Sequence, residues 1–508
     1  MADTIIEPRD IEPRDTEHHD EDSARLAELG YKSDFKRDMS LWENFALGFT
    51  YLSPVVGIYT VFAFAIGAAG PAVIWSLAIV AFGQFLVVLV FGEAVAQFPV
   101  AGGVYPWARR LWGRRYGWMT GWVYLVAIMI SVASIAYGSG PYLALVFGME
   151  VTPLNVTVSA LVTLTVATLI NAGGTKLLSR VAFYGFIAEI LGAVAVGTWL
   201  LIYNAGNLDF GRFFDSGGTD ALQSSNNYLF AFMGGAMMAL YQFFGFEACG
   251  DVAEEVPNPG RTIPQAMRRT IYIGGAAATF VCASLILSIP NIGDVISGKD
   301  SDPVMTILTN AFGETGAKLV LGVVLLSFVS CAVSLQAAAS RLTYSYGRDH
   351  MIFGSRFLSR FNEKRHIPPY ALGAATVVPA AICIGGYFSA DAVFKIVSFA
   401  VLGIYLGFQM VVLAAMRARL KGWVPSGKFA LSPGLGMLVN AGALAYGLIA
   451  ITTIVWPHAG MGDFTFSMDN YLIPILGVAV LLIGYAYMVI AKPYLRGDAP
   501  AGDAVPEK

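Results

Sequence analysis

The sequence predicts an all-α polytopic membrane protein, and three observations support this prediction. Of its 508 residues, 56% are hydrophobic and only 13% are charged, whereas a soluble globular protein has about 25% charged residues. Apolar runs long enough to cross a bilayer, which takes about 20 residues, recur along the whole chain. Basic residues fall almost entirely into every second connection between these runs. This composition excludes a soluble enzyme.

Twelve apolar runs, separated by Gly, Pro and charged residues, predict 12 transmembrane helices, which we number as spans one to twelve. Their approximate limits are 42–69, 72–97, 119–147, 154–173, 179–204, 228–256, 268–290, 315–340, 371–388, 391–416, 434–456 and 470–492. An even number of spans places both termini on the same side of the membrane.

The basic residues predict which side of the membrane this is. The side that holds the termini carries 28 Lys and Arg residues, whereas the opposite side carries four: Arg212, Lys299, Lys318 and Lys395. Cytoplasmic loops of membrane proteins are enriched in Lys and Arg. We therefore expect a multi-pass protein of the cytoplasmic membrane, surrounded by membrane lipid, with both termini in the cytoplasm.

The two ends of the chain are polar. Residues 1–40 are acidic, repeat the sequence Ile-Glu-Pro-Arg-Asp at 6–10 and 11–15, and lack the apolar core of a signal peptide. They are predicted to form a disordered cytoplasmic tail. Residues 41–492 are the predicted transmembrane domain, and 493–508 a second cytoplasmic tail. The net charge of −3 indicates no nucleic-acid partner.

Spans one and six each contain helix-breaking residues near the middle. Span one has Pro54, which lacks a backbone donor, and span six has Gly245 within a polar and aromatic stretch. These are the first spans of two successive five-helix blocks, at about 42–204 and 228–416, which leave 434–492 as two extra helices. Corresponding breaks in two halves indicate a transporter with inverted repeats, whose unwound backbone binds the substrate.

Glu189 is a carboxylate deep within the apolar span five. At this depth a charge costs a few kcal/mol or more, so Glu189 is either a structural, protonated or paired residue, or a coupling site for a proton or cation. A proton is the favoured partner. Sodium stays as the alternative, because Ser327, Ser330 and Ser334 of span eight could add oxygen ligands.

The sequence contains no phosphate-binding loop of an ATP-driven pump and no motif of an intramembrane hydrolase. The four cysteines, Cys249, Cys282, Cys331 and Cys383, lie in apolar runs without metal-ligand spacing. We therefore expect no catalytic residues, no metal site and no cofactor.

Three motifs occur in order along spans one to ten. Span two leads from Glu93 into Phe98-Pro99-Val100-Ala101-Gly102-Gly103-Val104-Tyr105. Span six has Gly245-Phe246-Glu247, followed by Ala253-Glu254-Glu255, Asn258-Pro259 and Ile263-Pro264. Span eight leads into Ser340-Arg341-Leu342-Thr343-Tyr344, Arg348-Asp349 and Pro368-Pro369. Together they resemble the signatures of the amino acid–polyamine–organocation permease family.

This resemblance implies the leucine-transporter-type fold, a 5+5 inverted repeat plus two helices, with alternating access and a substrate site at the two breaks. It implies that Tyr241 gates the site and that Phe244 lines it. The predicted substrate-binding residues are Ser53, Val55, Val56, Gly57, Ile58, Tyr241, Phe244, Gly245 and Glu247. Glu247 either meets a substrate ammonium group or holds the unwound segment. Glu93, Asp251, Glu254 and Glu255 are predicted to anchor loops or a gate at the cytoplasmic boundary.

Two positions depart from the family pattern. Amino acid members hold the substrate carboxylate with amides of a Gly-Ser/Ala-Gly triplet, which here reads Val55-Val56-Gly57. Some proton-coupled members have a Lys where Glu189 stands. Amino acids and amines therefore both remain open as substrates, and aromatic side chains such as Phe244 could favour an organic cation.

The leading interpretation is a proton-coupled secondary transporter that imports an amino acid or a closely related small amine such as γ-aminobutyrate. The alternatives are a choline, ethanolamine or polyamine permease, and a non-transporting nutrient sensor on the same fold. A channel is a weaker interpretation. The sequence leaves the oligomeric state open.

Overall fold

The computed structural model describes residues 13–32, 34–219, 227–389, 392–456, 468–500 and 504–505. This part of the chain is built from helices and loops, with one isolated β-bridge between Asn362 and Ile367. Buried apolar side chains from nearly all the helices form one large core. The predicted all-helical fold class is therefore confirmed.

The helices of the first repeat follow the predicted spans closely. Their bounds are Leu41–Leu52 and Pro54–Ala69 for span one, Trp75–Gln97 for span two, Arg114–Gly138 for span three, Pro153–Ala172 for span four and Thr175–Tyr203 for span five. Shorter helices, Pro71–Ile74, Val104–Trp112, Gly140–Val146 and Phe210–Phe214, lie between them.

The second repeat is more irregular. Its helices are Tyr228–Gly235, Met237–Gln242, Ala248–Asp251 and Ala253–Glu255 for span six, Pro259–Arg269, Thr270–Gly274 and Gly275–Ser288 for span seven, Pro303–Arg348 for span eight, Pro369–Gly386 for span nine and Ala392–Leu420 for span ten. Spans eleven and twelve are Pro433–Val455 and Met468–Ala491, and Ile292–Ile296, Ser355–Leu358 and Pro493–Arg496 are short connecting helices.

Within the described residues, eleven helical segments are long and apolar enough to cross a membrane. Span six is not among them, because it is divided into four short helices. The predicted count of twelve therefore remains a prediction. Two helices are longer than predicted: span seven begins at Pro259, and span eight runs from Pro303 to Arg348 across a non-helical residue, Gly313.

The packing of the spans has the symmetry of a repeat. Span three packs on span ten, and span eight packs on span five. Likewise, span three packs on span nine, and span eight packs on span four. In both sets, moving each span by five positions along the chain converts one pair into the other. Span three becomes span eight, span ten becomes span five, and span nine becomes span four. Since an odd offset reverses the chain direction, the two halves are related as inverted repeats.

The N-terminal segment differs from the predicted disordered tail. Residues Pro13–Glu28 form a helix, and Leu26, Leu29, Tyr31 and Met39 are buried against the helix bundle. The overall polarity of residues 1–40 hides these spaced apolar side chains, which bury enough surface to order the segment. Residues 1–12 lie outside the described part of the chain.

The two terminal segments lie on one face of the bundle. The ideal Cβ position of Gly30 is 2.3 Å from Cβ of Pro500, and Arg109 donates from Nη1 to the carbonyl of Pro500 at 2.6 Å. We call this side, defined by residues 22–32, 34–39 and 493–500, the terminal face. Both ends of the described chain are therefore on the same side, as the even number of predicted spans requires.

Candidate substrate site

The break in span one is built by Ser53 and Pro54. Ser53 has φ = 39°, a strained value for a residue with a side chain, and its N–H donates to the carbonyl of Phe49 at 2.7 Å, which closes the first half-helix. Pro54 starts the second half-helix, where its missing N–H is no loss. The Ser53 Oγ accepts the Val56 N–H at 3.2 Å and so caps this half-helix.

The break in span six is held open by Glu247. The helix Met237–Gln242 ends before Phe243, and Gly245 has φ = +114°, a conformation that favours glycine. The Glu247 Oε2 accepts the Gly245 N–H at 2.7 Å, and its Oε1 accepts the Tyr124 hydroxyl of span three at 3.0 Å. These bonds fit the second role considered for Glu247, holding the unwound segment, and its contact with a substrate stays a prediction.

The two breaks touch each other. A Cβ atom built on Gly245 would lie 2.7 Å from the backbone nitrogen of Leu52, at the end of the first half of span one. A Cβ atom built on Gly57 would lie 2.2 Å from Oε1 of Gln242 in span six. Glycine at both positions therefore permits the contact, and the predicted site residues of spans one and six come together.

Glu189 of span five lies at the span-one break. Its Oε1 accepts the Ser53 hydroxyl at 2.6 Å and the Val55 N–H at 3.1 Å. The carboxylate thus sits at the N-terminus of the half-helix Pro54–Ala69, where negative charge is stabilised. Its Oε2 has no hydrogen-bond partner among the described residues.

A narrow crevice of about 20 Å³ extends from Glu189 between spans one, five, seven and eight. Val55 and Tyr59 line it from span one, and Ser327 lines it from span eight. Of the other two serines considered as ligands, the Ser334 Oγ is 2.7 Å from the Thr50 hydroxyl, and the Ser330 Oγ donates to the carbonyl of Ser327. Glu189 therefore borders space that the helices leave unfilled.

Gln242 belongs to the candidate site, although it is not among the residues predicted from the sequence. Its side chain is fully buried, its Nε2 donates to the carbonyl of Leu52 at 3.0 Å, and its Oε1 has no partner among the described residues. Gln242 therefore bridges the two breaks and presents an acceptor beside Gly57. A polar amide directly before a predicted helix break was the signal that could have identified it.

The predicted aromatic residues form a cluster on the site. The Tyr241 and Phe244 rings meet edge to face with centroids 5.7 Å apart, and Tyr51 of span one meets Phe244 in the same way at 6.0 Å. The Tyr241 hydroxyl lies 3.2 Å from the Ser134 Oγ of span three. The remaining predicted residues, Val55, Val56 and Ile58, are buried in the core beside the break.

The three sequence motifs converge at the terminal face. Glu254 of span six accepts hydrogen bonds from Nη2 of Arg348 at 2.9 Å and from the backbone N–H of Ala101 at 3.0 Å. Glu255 accepts hydrogen bonds from Nε of Arg341 at 2.8 Å and from the Thr175 hydroxyl at 2.6 Å. These contacts join the loop after span two, span six and span eight, as expected for anchoring residues.

Two further carboxylates make similar contacts. We call the whole set of contacts of Glu93, Glu254, Glu255 and Asp349 the closure of the terminal face. Glu93 of span two pairs with Arg419 of span ten. Asp349 accepts the hydroxyl groups of Tyr31 at 2.9 Å and of Tyr105 at 2.7 Å. Burial and the adjacent Asp349 raise the pKa of Tyr31 to about 12, so its hydroxyl remains a donor at neutral pH. Asp251, expected to act similarly, has no partner among the described residues.

The sequence matches the model of a protein family described as amino acid permease over residues 39–481. The chain belongs to this amino acid permease family. It is a multi-pass membrane transporter, not an enzyme. The match covers all the spans whose residues carry the breaks, Glu189 and the ion pairs of the terminal face.

Curated relatives of this permease are similar over nearly their whole length. The amino-acid permease BAT1 of Arabidopsis thaliana is 24% identical, with 89% of this chain and 97% of that protein covered. The GABA-specific permease of Saccharomyces cerevisiae is 24% identical, with 94% and 86% covered. The aromatic amino acid transport protein AroP of Escherichia coli is 25% identical, with 85% and 91% covered.

Solved structures show the same fold. A crystal structure of the manganese transporter of Eremococcus coleocola, bound to an aromatic bis-isothiourea compound, superposes with a TM-score of 0.57. The comparison covers 90% of the permease and 94% of that chain at 14% sequence identity. At this identity the likeness concerns the fold alone.

Proposed function

We propose that the permease is a secondary active transporter that imports an amino acid or a closely related small amine by alternating access, coupled to protons. The observation that carries this proposal is the contact between the two broken helices, with Glu189 bound to the first break and Gln242 bridging both. Unwound backbone at mid-membrane is the binding device of transporters with inverted repeats.

The half-helices are suited to move as gates. The second half of span six, Ala248–Asp251 and Ala253–Glu255, is tied to the loop after span two through Glu254 and to span eight through Glu255. Opening towards the terminal face requires these contacts to separate, while Ser53 and Gly245 supply the backbone bends. We infer that Tyr241 and Phe244 cover the substrate from the other side.

The family and the names of its relatives support an amino acid as the substrate class. One observation favours the amine alternative. The amides that would hold a substrate carboxylate are engaged, since Val55 donates to Glu189, Val56 to the Ser53 Oγ, and Gly57 to the Ser53 carbonyl. Choline, ethanolamine and polyamines lack a carboxylate and need no such amides.

We place the permease in the cytoplasmic membrane, with the terminal face in the cytoplasm. The support is the distribution of 28 basic residues on the side of the termini and four on the other. In this orientation, the buried ion pairs close the cytoplasmic end of the transport path.

Counterflow in proteoliposomes tests this function. Vesicles loaded with one unlabelled solute should concentrate the same labelled solute from outside, across a panel of amino acids, γ-aminobutyrate, choline, ethanolamine and putrescine. A carrier shows saturable counterflow, whereas a sensor or a simple pore shows none. Absence of counterflow for every member of the panel would contradict the proposal.

Glu189→Gln tests the coupling step, because the amide mimics the protonated carboxyl group without opening a cavity. We expect counterflow at a rate near that of the wild type and loss of most accumulation driven by an imposed pH gradient. Glu150→Gln, an exposed substitution in the loop after span three, serves as the matched control. Undiminished accumulation in Glu189→Gln would make Glu189 structural, and wild-type accumulation that follows sodium alone would refute the proton.

A further inference from the structure

Asp251 is a buried carboxylate that the proposed transport mechanism does not use. It ends the short helix Ala248–Asp251, one turn from Glu247 towards the terminal face. Its side chain is fully buried, and neither carboxylate oxygen has a hydrogen-bond partner among the described residues. Glu254 and Asp349 nearby are held by arginine or tyrosine side chains, so Asp251 is set apart from the anchoring carboxylates.

The glycine loop after span two covers this carboxylate. A Cβ atom built on Gly103 would lie 2.5 Å from Oδ1 of Asp251, and the Gly102 N–H donates to the backbone carbonyl of Asp251 at 3.0 Å. Trp107, in the helix Val104–Trp112 that follows the loop, packs against Gly250. The space between Gly103 and the Asp251 carboxylate is therefore too small for a methyl group. It cannot hold an ammonium group or a hydrated metal ion, but it can hold a proton on the carboxylate.

No positive charge among the described groups balances this site. The titratable side chains that act on Asp251 are Glu247, directly before its helix, Tyr51 of span one and Tyr124 of span three. The first is a like charge, and the two phenols are neutral. A carboxylate that is buried without a partner or a donor is strongly destabilised as an ion, and two adjacent carboxylates oppose each other's ionisation.

We propose that Asp251 is a proton-binding site of the transport cycle, protonated while the Gly102–Gly103 loop covers it. When the loop and the helix Ala248–Asp251 separate, the carboxyl group meets water on the terminal side and its O–H proton passes to that water. Reloading follows from the substrate side through Glu247, one turn away. This inference rests on the proposed proton-coupled transport but assigns a proton to a residue other than Glu189.

Infrared spectroscopy of the purified protein tests the protonation directly, without any transport assay. The wild type at neutral pH should show the C=O stretching band of a carboxylic acid without hydrogen bonds, and Asp251→Asn should lose that band. Asp38→Asn, at an exposed carboxylate paired with Lys36, is the control and should change nothing in that region. An Asp251→Asn spectrum that keeps the whole band overturns the proposal.

The stability of the variant gives a second measurement. Asparagine resembles the protonated acid in size and charge, and Asp251 makes no contact that the amide would break. The melting temperature of Asp251→Asn should therefore equal or exceed that of the wild type. A variant that unfolds or melts far below the wild type would mean that an ionised Asp251 supports the fold, which also overturns the proposal.

Proton movement in proteoliposomes tests the role in transport. Asp251→Asn should retain substrate counterflow but move markedly fewer protons per substrate, measured with a pH-sensitive dye inside the vesicles. An unchanged proton-to-substrate ratio contradicts the proposal. If the wild type itself shows no counterflow or no proton movement, the proposed function fails, and the infrared band still decides whether Asp251 is protonated.

Discussion

At the scale of single residues, Gln242 explains why the chain needs glycine at position 57. The amide Oε1 occupies the space where any side chain at this position would begin, while its Nε2 is tied to the carbonyl of Leu52. Adding a side chain to Gly57 would displace Gln242, break this bond and separate the two helix breaks.

We predict that Gly57→Ala weakens the apparent affinity for substrate by about fivefold. Loss of one buried hydrogen bond corresponds to about 1 kcal/mol, which is about a factor of five in an equilibrium constant. The Michaelis constant of uptake measures this change. Gly67→Ala on the same half-helix is the control, because its added Cβ would meet only the carbonyl of Val295 at 4.0 Å.

A double-mutant cycle identifies Gln242 as the cause. Gln242→Ala removes the side chain that Gly57→Ala displaces, so the double variant should be no worse than Gln242→Ala alone. Strictly additive losses in affinity would show that position 57 acts on the substrate by another route, such as direct contact with its backbone.

The sequence predicted the position of both breaks but not what fills them. Pro54 and Gly245 change the backbone locally, so their effect can be read without knowing the fold. The hydrogen bonds of Glu189 with Ser53 and Val55 depend on how spans five and one pack. This packing cannot be deduced from the spacing of residues along the sequence. For the same reason the sequence could not show that Asp251, unlike Glu254, lacks a partner.

At the scale of helices and segments, the ion pairs of the terminal face join elements that are far apart in sequence. Arg348 of span eight donates to Glu254 of span six, and its guanidinium also lies 4.2 Å from the ring centre of Tyr31 in the N-terminal segment. The predicted tail thus becomes part of the closure, because its apolar and aromatic residues find partners that only the folded bundle provides.

We predict that Glu254→Gln lowers the stability of the permease by about 3–5 kcal/mol. Removing one partner of a buried ion pair leaves the other charge buried and uncompensated, here the guanidinium of Arg348. Chemical or thermal unfolding in detergent measures this loss, with uptake as a second readout of the gate.

An exposed ion pair in the same chain is the matched control. Lys299 lies 3.2 Å from Asp294 on the other side of the protein, and its side chain is 76% exposed. Lys299→Met should change the stability by less than about 1 kcal/mol, since water already screens this pair. Equal effects of the two substitutions would contradict the importance of the closure at the terminal face.

At the scale of the whole molecule, the contact symmetry of the two repeats and the common face of the termini fit one topology. Segments on the terminal face carry the basic clusters, for example Arg109, Arg114 and Arg348, which bind the terminal segments or the anchoring carboxylates. The loops after spans three and seven lie at the opposite ends of these helices. The proposed membrane orientation, with the terminal face in the cytoplasm, is a prediction that rests on this charge distribution.

Cysteine labelling of intact cells tests the predicted orientation. The four native cysteines are fully buried, so they should not react with a membrane-impermeant maleimide and need no replacement. Glu150 and Lys299 are exposed on the predicted outer side, and Lys32 and Lys421 on the terminal side. Because Lys and Arg are retained in the cytoplasm, we expect Glu150→Cys and Lys299→Cys to be labelled in intact cells. Lys32→Cys and Lys421→Cys should react only after permeabilisation, and the reverse pattern would place the ion-paired closure on the outer side.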